Sequence, residues 1–381
     1  MSDSELRVLA VADPAVRAYV EPGLGILERW RSGGRALTFD IVPWGDYYPT
    51  LLAQAERPAY DVAMIAGHLW LRDFAESGAI LPLDGYLREL GPAYDDADIA
   101  PEIRRDCEWE GRRWLVPSFT DGHLVFYDAA AAASAGCSPA PTIRPRDLVV
   151  FARRVSGGGR RAALKAGPSE IFLDWLPYLL AEGAEPFDAE GRPTFDCEAG
   201  RRALGLYLEM LSLSVEGSVG FGNEEVLQAL ASGRALVGTS WGGQAARIVA
   251  AASGRRLGFA GFERPWSVAW SFAILSGSRR PREAFELLAY LSSKEVDRAV
   301  GRYAGSPTRL SAYADPAERA ACPWYPAQLE MVRRAYSLPR LRGSGAIFGV
   351  LYEELSRAAR GEASPAQALG AAERRVLELR G

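Results

Sequence analysis

Residues 60–84, YDVAMIAGHLWLRDFAESGAILPLD, carry the reading that decides the fold. Tyr60–Ala66 is an apolar run of strand length, of the kind that fills a buried sheet. Leu69–Ser77 then reads as a helix that stops at Gly78. The same alternation holds upstream. Leu6–Ala12 (LRVLAVA) reads as a buried strand closed by Asp13-Pro14, and a helix is expected between Ala15 and Arg31. Thr38–Pro43 (TFDIVP) gives a second strand and Trp44–Gln54 a helix. Strand and helix alternating over short connections predict a mostly parallel, doubly wound sheet flanked by helices.

Gly111–Pro117 (GRRWLVP) breaks that rhythm and leads, through Ser118–Gly122, into a strand at Leu124–Tyr127. Helices are expected at Arg146–Arg154, Ile171–Glu182, Ala199–Leu213, Glu224–Ala231, Arg282–Leu291, Val296–Arg302 and Ile347–Arg360. Leu236–Thr239 and Trp270–Leu275 read as strands. At 381 residues the chain is long for one hydrophobic core, so two domains are expected.

Composition narrows the function. A net charge of -4 argues against a nucleic-acid partner, which would need a basic face. No segment reaches the roughly 18–20 unbroken apolar residues of a membrane span. The start, Met1-Ser2-Asp3-Ser4-Glu5, is acidic and lacks the charge and apolar run of a secretion signal. The expectation is therefore conditional: extracellular or periplasmic if a leader has been removed, cytoplasmic if Met1 is the native start. Cys107, Cys137, Cys197 and Cys322 are dispersed and read as buried thiols, and only two histidines, His68 and His123, are present. No metal site and no cofactor are expected.

Several chemical signals are weak. Gly238-Thr239-Ser240-Trp241-Gly242 fits a nucleophile elbow, but such a serine needs a later histidine, and both histidines precede Ser240. Gly343-Ser344-Gly345-Ala346-Ile347-Phe348-Gly349 has the wrong spacing for a dinucleotide loop. The pairs Asp95/Asp96 and Glu353/Glu354 read as solvated charge rather than a glycosidase pair. No enzyme activity is expected.

The ten tryptophans are more informative. Trp44, Trp70, Trp241, Trp266 and Trp270 fall at or beside strand ends, where ligand crevices open in doubly wound sheets. One such indole alone more often fills core; five together point to a surface for the C–H face of a sugar ring. Asn223 is the only asparagine, so polar recognition falls to groups such as Asp13, His68, Asp121, His123 and Arg309 in loops near those ends.

From Thr38 onward the order of motifs resembles the family 1 extracellular solute-binding proteins, the maltose-binding-protein-like receptors of ABC importers. The stretches that carry it are Val42–Tyr47 (VPWGDY), Tyr60–Ile65, Gly78–Asp84 (GAILPLD), Trp109–Asp128, Ala229–Gly243 (ALASGRALVGTSWGG), Trp270–Leu291, Gly305–Arg309 (GSPTR) and Tyr313–Pro316. The resemblance implies a two-lobed α/β fold of the type II periplasmic-binding-protein kind, with a ligand cleft between lobes. It implies crossings near Val116–Thr120, Glu263–Val268 and Ser306–Leu310, hence lobes of 1–117 plus 267–310 and 118–266 plus 311–381. It also places Trp44, His68, Trp70, Asp121, Trp241, Gly242, Trp270 and Arg309 like the family's sugar contacts. The implied role is capture of a small polar solute, a mono- or oligosaccharide, by hinge closure in a monomer that hands it to ABC permease subunits. A cytoplasmic sensor or carrier on the same scaffold is the alternative, as is a receptor for a cationic or metal-chelate solute.

Overall fold

The computed structural model describes residues 5–380. The acidic reading of Met1–Ser4 lies outside the described residues. The strands that build the sheets are β1 (Glu5–Val11), β2 (Ala36–Val42), β3 (Val62–Ala66), β4 (Val116–Asp121), β5 (His123–Asp128), β6 (Thr142–Ile143), β7 (Ala162–Ala163), β8 (Val237–Trp241), β9 (Leu257–Phe262) and β10 (Trp266–Ile274). They fall into two compact units. One takes the chain up to Asp121 and again Val268–Cys322; the other takes Gly122–Ser267 and the chain from Pro323 onward.

In the first unit the sheet order is β2-β1-β3-β10-β4. β1 lies parallel to β2 and to β3, while β10 runs antiparallel to both β3 and β4. β3 (VAMIA) is buried along its whole length, as its unbroken apolar run requires. The second unit orders its strands β6-β9-β5-β8-β7, with β5 antiparallel to both neighbours and the two edge pairs parallel. Its core is the helix Ile171–Ala181, in which every residue but the last is buried; apart from Asp174 it is apolar all round, and such a helix belongs inside. Both sheets are thus mixed, with fewer parallel pairs than alternation alone predicts. The strands beside the domain crossings, β4, β5 and β10, are the ones that insert antiparallel.

The expected helix from Ala15 to Arg31 is two helices, Pro14–Val20 and Ile26–Ser32. Pro22 explains the break: it lacks an N–H and pushes Glu21 into extended backbone (ψ 114°). The strand LGFAGF at Leu257–Phe262 was not legible in the sequence, since two glycines dilute its apolar pattern.

The first two crossings leave the first unit side by side, because Asp121 pairs with Val268. The third passage between the units falls later in the chain. It lies after Cys322 rather than near Ser306–Leu310, and side-chain chemistry explains the shift. Ser311 binds Asp98 through both its amide (2.8 Å) and its hydroxyl (2.7 Å). Asp315 caps the helix Pro316–Ala321, whose buried Glu318 pairs with Arg302 at 2.7 Å. These bonds hold residues 310–321 to the first unit.

Arg309 belongs to the same network. It is 1% exposed, and its Nε and both Nη atoms donate to the carbonyls of Ser292 (2.7 Å), Asp95 (3.0 Å) and Tyr94 (3.1 Å). The buried carboxylate of Asp297 accepts from the amide of Arg309 and from the amide and hydroxyl of Thr308. The expected solute contact of Arg309 therefore gives way to a structural role. A lysine cannot reproduce a planar fork that serves three carbonyls. Arg309→Lys should lower the unfolding free energy by about 2 kcal/mol, seen as a lower urea midpoint; an unchanged midpoint would contradict the assignment.

Candidate functional site

Each unit carries an aromatic face at one end of its sheet. In the first unit, β1, β2, β3 and β4 all end at the same edge. Asp13 follows β1, Trp44 opens the helix after β2, and His68 and Trp70 lie in the helix Gly67–Glu76 directly after β3. Asp121 ends β4. Trp270 on the antiparallel β10 pairs with Ala66, the last residue of β3, so it reaches the same edge. A register shift between Trp270 and Ser271 interrupts the pairing with β4 at that point, and such irregularities re-aim side chains.

The rings pack against one another. Trp44 stacks on Trp70 (5.9 Å, 18°), and both meet Trp270 edge-on at 5.9 and 5.8 Å. Tyr48 and Tyr47 stack on Trp70 at 4.9 and 6.1 Å, and Phe119 lies parallel to Trp270 at 6.5 Å. Tyr47 anchors the group from below: its hydroxyl donates to Met64 O (2.7 Å) and accepts from Met64 N (2.9 Å). Burial pushes the Tyr47 phenol far above its ordinary range, so it stays neutral. Trp70 is buried, Trp270 half-buried, and Trp44 remains 50% exposed. An indole this open on a rigid base is a ready stacking surface. Asp13 is half-buried and caps the helix Pro14–Val20 through Ala15 N (2.8 Å); His68 and Asp121 are buried at the same edge.

In the second unit, Trp241 ends β8 directly opposite His123, which begins β5. His123 meets the Trp241 ring at 4.8 Å and the Trp266 ring at 5.3 Å, both edge-on. Trp241 is fixed in three ways. Its Nε1 donates to Glu170 Oε2 (3.1 Å), Lys165 Nζ lies 4.0 Å from its ring centre, and Trp266 packs against it at 5.2 Å. Lys165 itself pairs with Glu170 at 2.9 Å, which neutralises a fully buried ammonium. Trp266 is 0% exposed and donates to Leu173 O (2.8 Å). Its expected solute contact becomes support for Trp241.

Asp174 organises the floor of this face. It accepts from Thr239 Oγ1 (2.7 Å), Tyr207 Oη (2.9 Å) and the amide of Lys165 (3.1 Å), and His123 Nδ1 lies 3.0 Å away. Burial opposes its charge, but the donors from His123, Thr239 and Tyr207 outweigh burial and hold its carboxyl below the usual range. Burial holds the His123 imidazole below its ordinary range as well, against the pull of Asp174.

Gly242 follows Trp241, and a Cβ there would sit 2.0 Å from Gln328 Oε1. A larger residue there would have to displace the Gln328 amide. Ser240 lies buried inside β8, paired with Leu124, so the nucleophile-elbow pattern is ordinary strand. Among the described residues no three His, Cys, Asp or Glu side chains gather as a metal would require.

Sequence reasoning missed Lys165, Glu170, Asp174 and Gln328. The one available signal was Lys165, which stands out in a chain whose only other lysine is Lys294.

The family model for "Bacterial extracellular solute-binding protein" matches residues 24–298. A maltose-bound MalE3 of T. maritima superposes with a TM-score of 0.86 at 19% identity, over 98% of this chain and 99% of that one. A solute-binding protein of Agrobacterium radiobacter in complex with ribitol gives 0.86 at 19% identity, with 99% of each chain covered. The acarbose-binding GacH receptor of Streptomyces glaucescens gives 0.81 at 22%, again over 99% of each chain. At these identities the likeness establishes the fold, that of the type II periplasmic binding proteins. A curated relative from Sinorhizobium fredii, named "Probable amino-acid ABC transporter periplasmic-binding protein", is 26% identical over 262 residues. That match covers 66% of this chain and spans 61% of the relative's length.

Because it is buried neutral, His123 binds fewer protons folded than unfolded once pH falls below about 6.5. Its contribution to stability is therefore present above that pH and is lost as pH drops toward its folded value. With only two histidines in the chain, its ring resonances are easily assigned by NMR. The His123 midpoint should lie below 6.5; a midpoint at or above that value would refute a desolvated, neutral ring.

Proposed function

Because the chain belongs to the family of bacterial extracellular solute-binding proteins, we propose that it is the binding component of an ABC importer. It captures a small polar solute, a mono- or oligosaccharide, on indoles at its strand ends and releases it unchanged to membrane permease subunits. It works outside the cytoplasmic membrane and as a monomer.

The observation that carries this reading is the set of open, rigidly backed indoles, beside which Lys165 and Arg309 are already committed to other groups. Trp44 offers a half-exposed ring stacked on Trp70, and Trp241 offers a ring clamped by Glu170 and Lys165. Flat apolar rings beside a few polar groups suit the mixed surface of a sugar or polyol. The solved relatives named above were crystallised with maltose, ribitol and acarbose, which supports the same class. An amino-acid solute, as the name of the Sinorhizobium relative suggests for that protein, would need a cation for its carboxylate. Here Lys165 is matched by Glu170, and Arg309 is spent on backbone carbonyls. That favours an uncharged solute.

Energetically the demand is modest. Micromolar capture corresponds to about -8 kcal/mol, within reach of a few stacked rings and hydrogen bonds after ordering costs. A solute favours a closed form only by the difference in its affinity for closed and open forms.

A thermal-shift screen against sugars, polyols, amino acids, polyamines and metal chelates identifies the class, since a bound solute raises the melting temperature by mass action. Sugars or polyols should give the largest shift; a shift confined to amino acids or cations would replace the carbohydrate reading. By calorimetry with the strongest hit, Trp241→Ala and Trp270→Ala should each weaken binding more than tenfold while the fold is retained. Unchanged affinity in both would remove these indoles from the site.

A further inference from the structure

Seven arginines gather at the end of the second unit's sheet that lies opposite Trp241. Trp241 pairs with His123, whereas Val237 pairs with Tyr127 and Ala162, and Leu257 with Asp128. The starts of β7, β8 and β9 and the finish of β5 therefore share one end. Arg160 and Arg161 lead into β7, Arg234 into β8, and Arg255 and Arg256 into β9, while Arg153 and Arg154 close the helix Pro145–Ser156 just before β7. With neighbouring strands about 4.8 Å apart, the band spans about 15 Å.

Its charge runs against that of the chain, which is -4 overall. Asp128 pairs with Arg255 (2.6 Å) and Glu209 with Arg153 (2.7 Å). Arg154, Arg160, Arg161, Arg234 and Arg256 are exposed, and among the described residues none of the five has a carboxylate partner. Backbone carbonyls hold some of the guanidiniums without cancelling their charge. Arg160 Nε donates to Ser214 O (2.8 Å), Arg161 Nη2 to Gly233 O (2.7 Å) and Arg255 Nη1 to Leu230 O (2.7 Å). Gly233, with φ +73°, lets Arg255 lie across the turn, since a Cβ there would sit 2.6 Å from its Nη1. Closing the C-terminal turn of the helix Asn223–Ala231 accounts for Arg161 and Arg255. Arg234 lies over the Phe221 ring at 5.7 Å, which leaves its charge intact, and Arg154 and Arg256 serve no such purpose. The exposed residues between them are small: Gly157–Gly159, Ser232 and Ser253-Gly254. A specific protein interface has an apolar centre with aromatic anchors. Guanidiniums set among glycine and serine, with no exposed aromatic residue there among the described residues, suit a partner whose negative charge is flat and spread out.

We propose that this end of the second unit docks on the anionic headgroups of a phospholipid bilayer. The inference goes beyond the solute-binding reading and is independent of which solute is captured. Docking through the arginines leaves Trp241, at the other end of the same sheet, clear of the bilayer. The contact is reversible and salt-sensitive, because exposed charges are screened over about 8 Å at physiological ionic strength. Each arginine close to an anionic surface strengthens binding about fivefold.

Cosedimentation with vesicles tests it, using phosphatidylcholine alone and phosphatidylcholine mixed with an equal part of phosphatidylglycerol. The intact chain should sediment with the mixed vesicles only and be released as salt is raised. One variant combines Arg154→Gln, Arg234→Gln and Arg256→Gln. A second combines Arg57→Gln, Arg88→Gln and Arg319→Gln, exposed arginines of the first unit without an ion pair among the described residues. Both variants lose the same charge, so a difference between them reports position. The first should bind the mixed vesicles about a hundredfold more weakly, and the second as the intact chain does, with the melting temperature of each unchanged. Equal weakening in both would show that net charge alone attracts the chain, and the assignment would fail. It would fail also if the intact chain ignored the mixed vesicles or bound both kinds alike. Retention on immobilised polyglutamate or DNA that the first variant loses, without vesicle binding, would give this end to an acidic protein or a nucleic acid instead.

Discussion

The carbonyl oxygen of Asp106 packs against the start of the helix after β3 only because Gly67 has no side chain: a Cβ there would sit 2.6 Å from it. That close approach is the constraint on which the aromatic face of the first unit depends. It sets Trp70 within the first turn of the helix, where it meets Trp270 at the same level of the sheet. The second unit solves the same problem at Gly242, which lets Gln328 lie against the backbone one residue past Trp241. In both places a glycine at a strand end lets a neighbouring group lie close, the Asp106 carbonyl at Gly67 and the Gln328 amide at Gly242.

Rigidity matters because stacking repays its cost only when little freedom is lost on binding. Tyr47 illustrates how that is achieved in the first unit, with a phenol pinned between backbone groups of β1 and β3 under the indole stack. In the second unit, Glu170 aims the Trp241 indole through its N–H, and the Lys165 ammonium over the ring fixes its tilt. The Lys165–Glu170 pair carries no net charge. The polar groups nearest Trp241 thereby position the ring without creating a charged site.

Much of this was legible in the sequence, for definite reasons. Alternation of apolar runs with helical spacing fixed β1, β2 and β3 to within a few residues, and strand ends drew attention to Trp44, Trp70, Trp241 and Trp270. What the sequence hid was long-range pairing. Arg309 looked like a loop cation near a ligand, but it meets carbonyls more than 200 residues away in the chain. Trp266 looked like its neighbours, yet its N–H finds Leu173 O, 93 residues earlier, and it fills core. Gln328 carried no pattern at all; its placement follows from a helix packed over Gly122 and Gly242, which no local signal predicts. The late third crossing has the same origin, since Asp98 and Arg302 hold residues that the family resemblance assigned to the other lobe.

The central claim is that indoles at the strand ends form the surface on which a neutral, hydroxyl-rich solute rests. A crystal structure of the chain with its strongest-binding sugar or polyol tests this most directly. The account predicts a solute ring or carbon chain lying against Trp241, Trp270 or Trp44, with hydroxyls directed to neighbouring polar side chains. A solute lodged away from all three indoles, for example in the groove lined by Tyr48, Leu52 and Phe74 on the first unit, would contradict it.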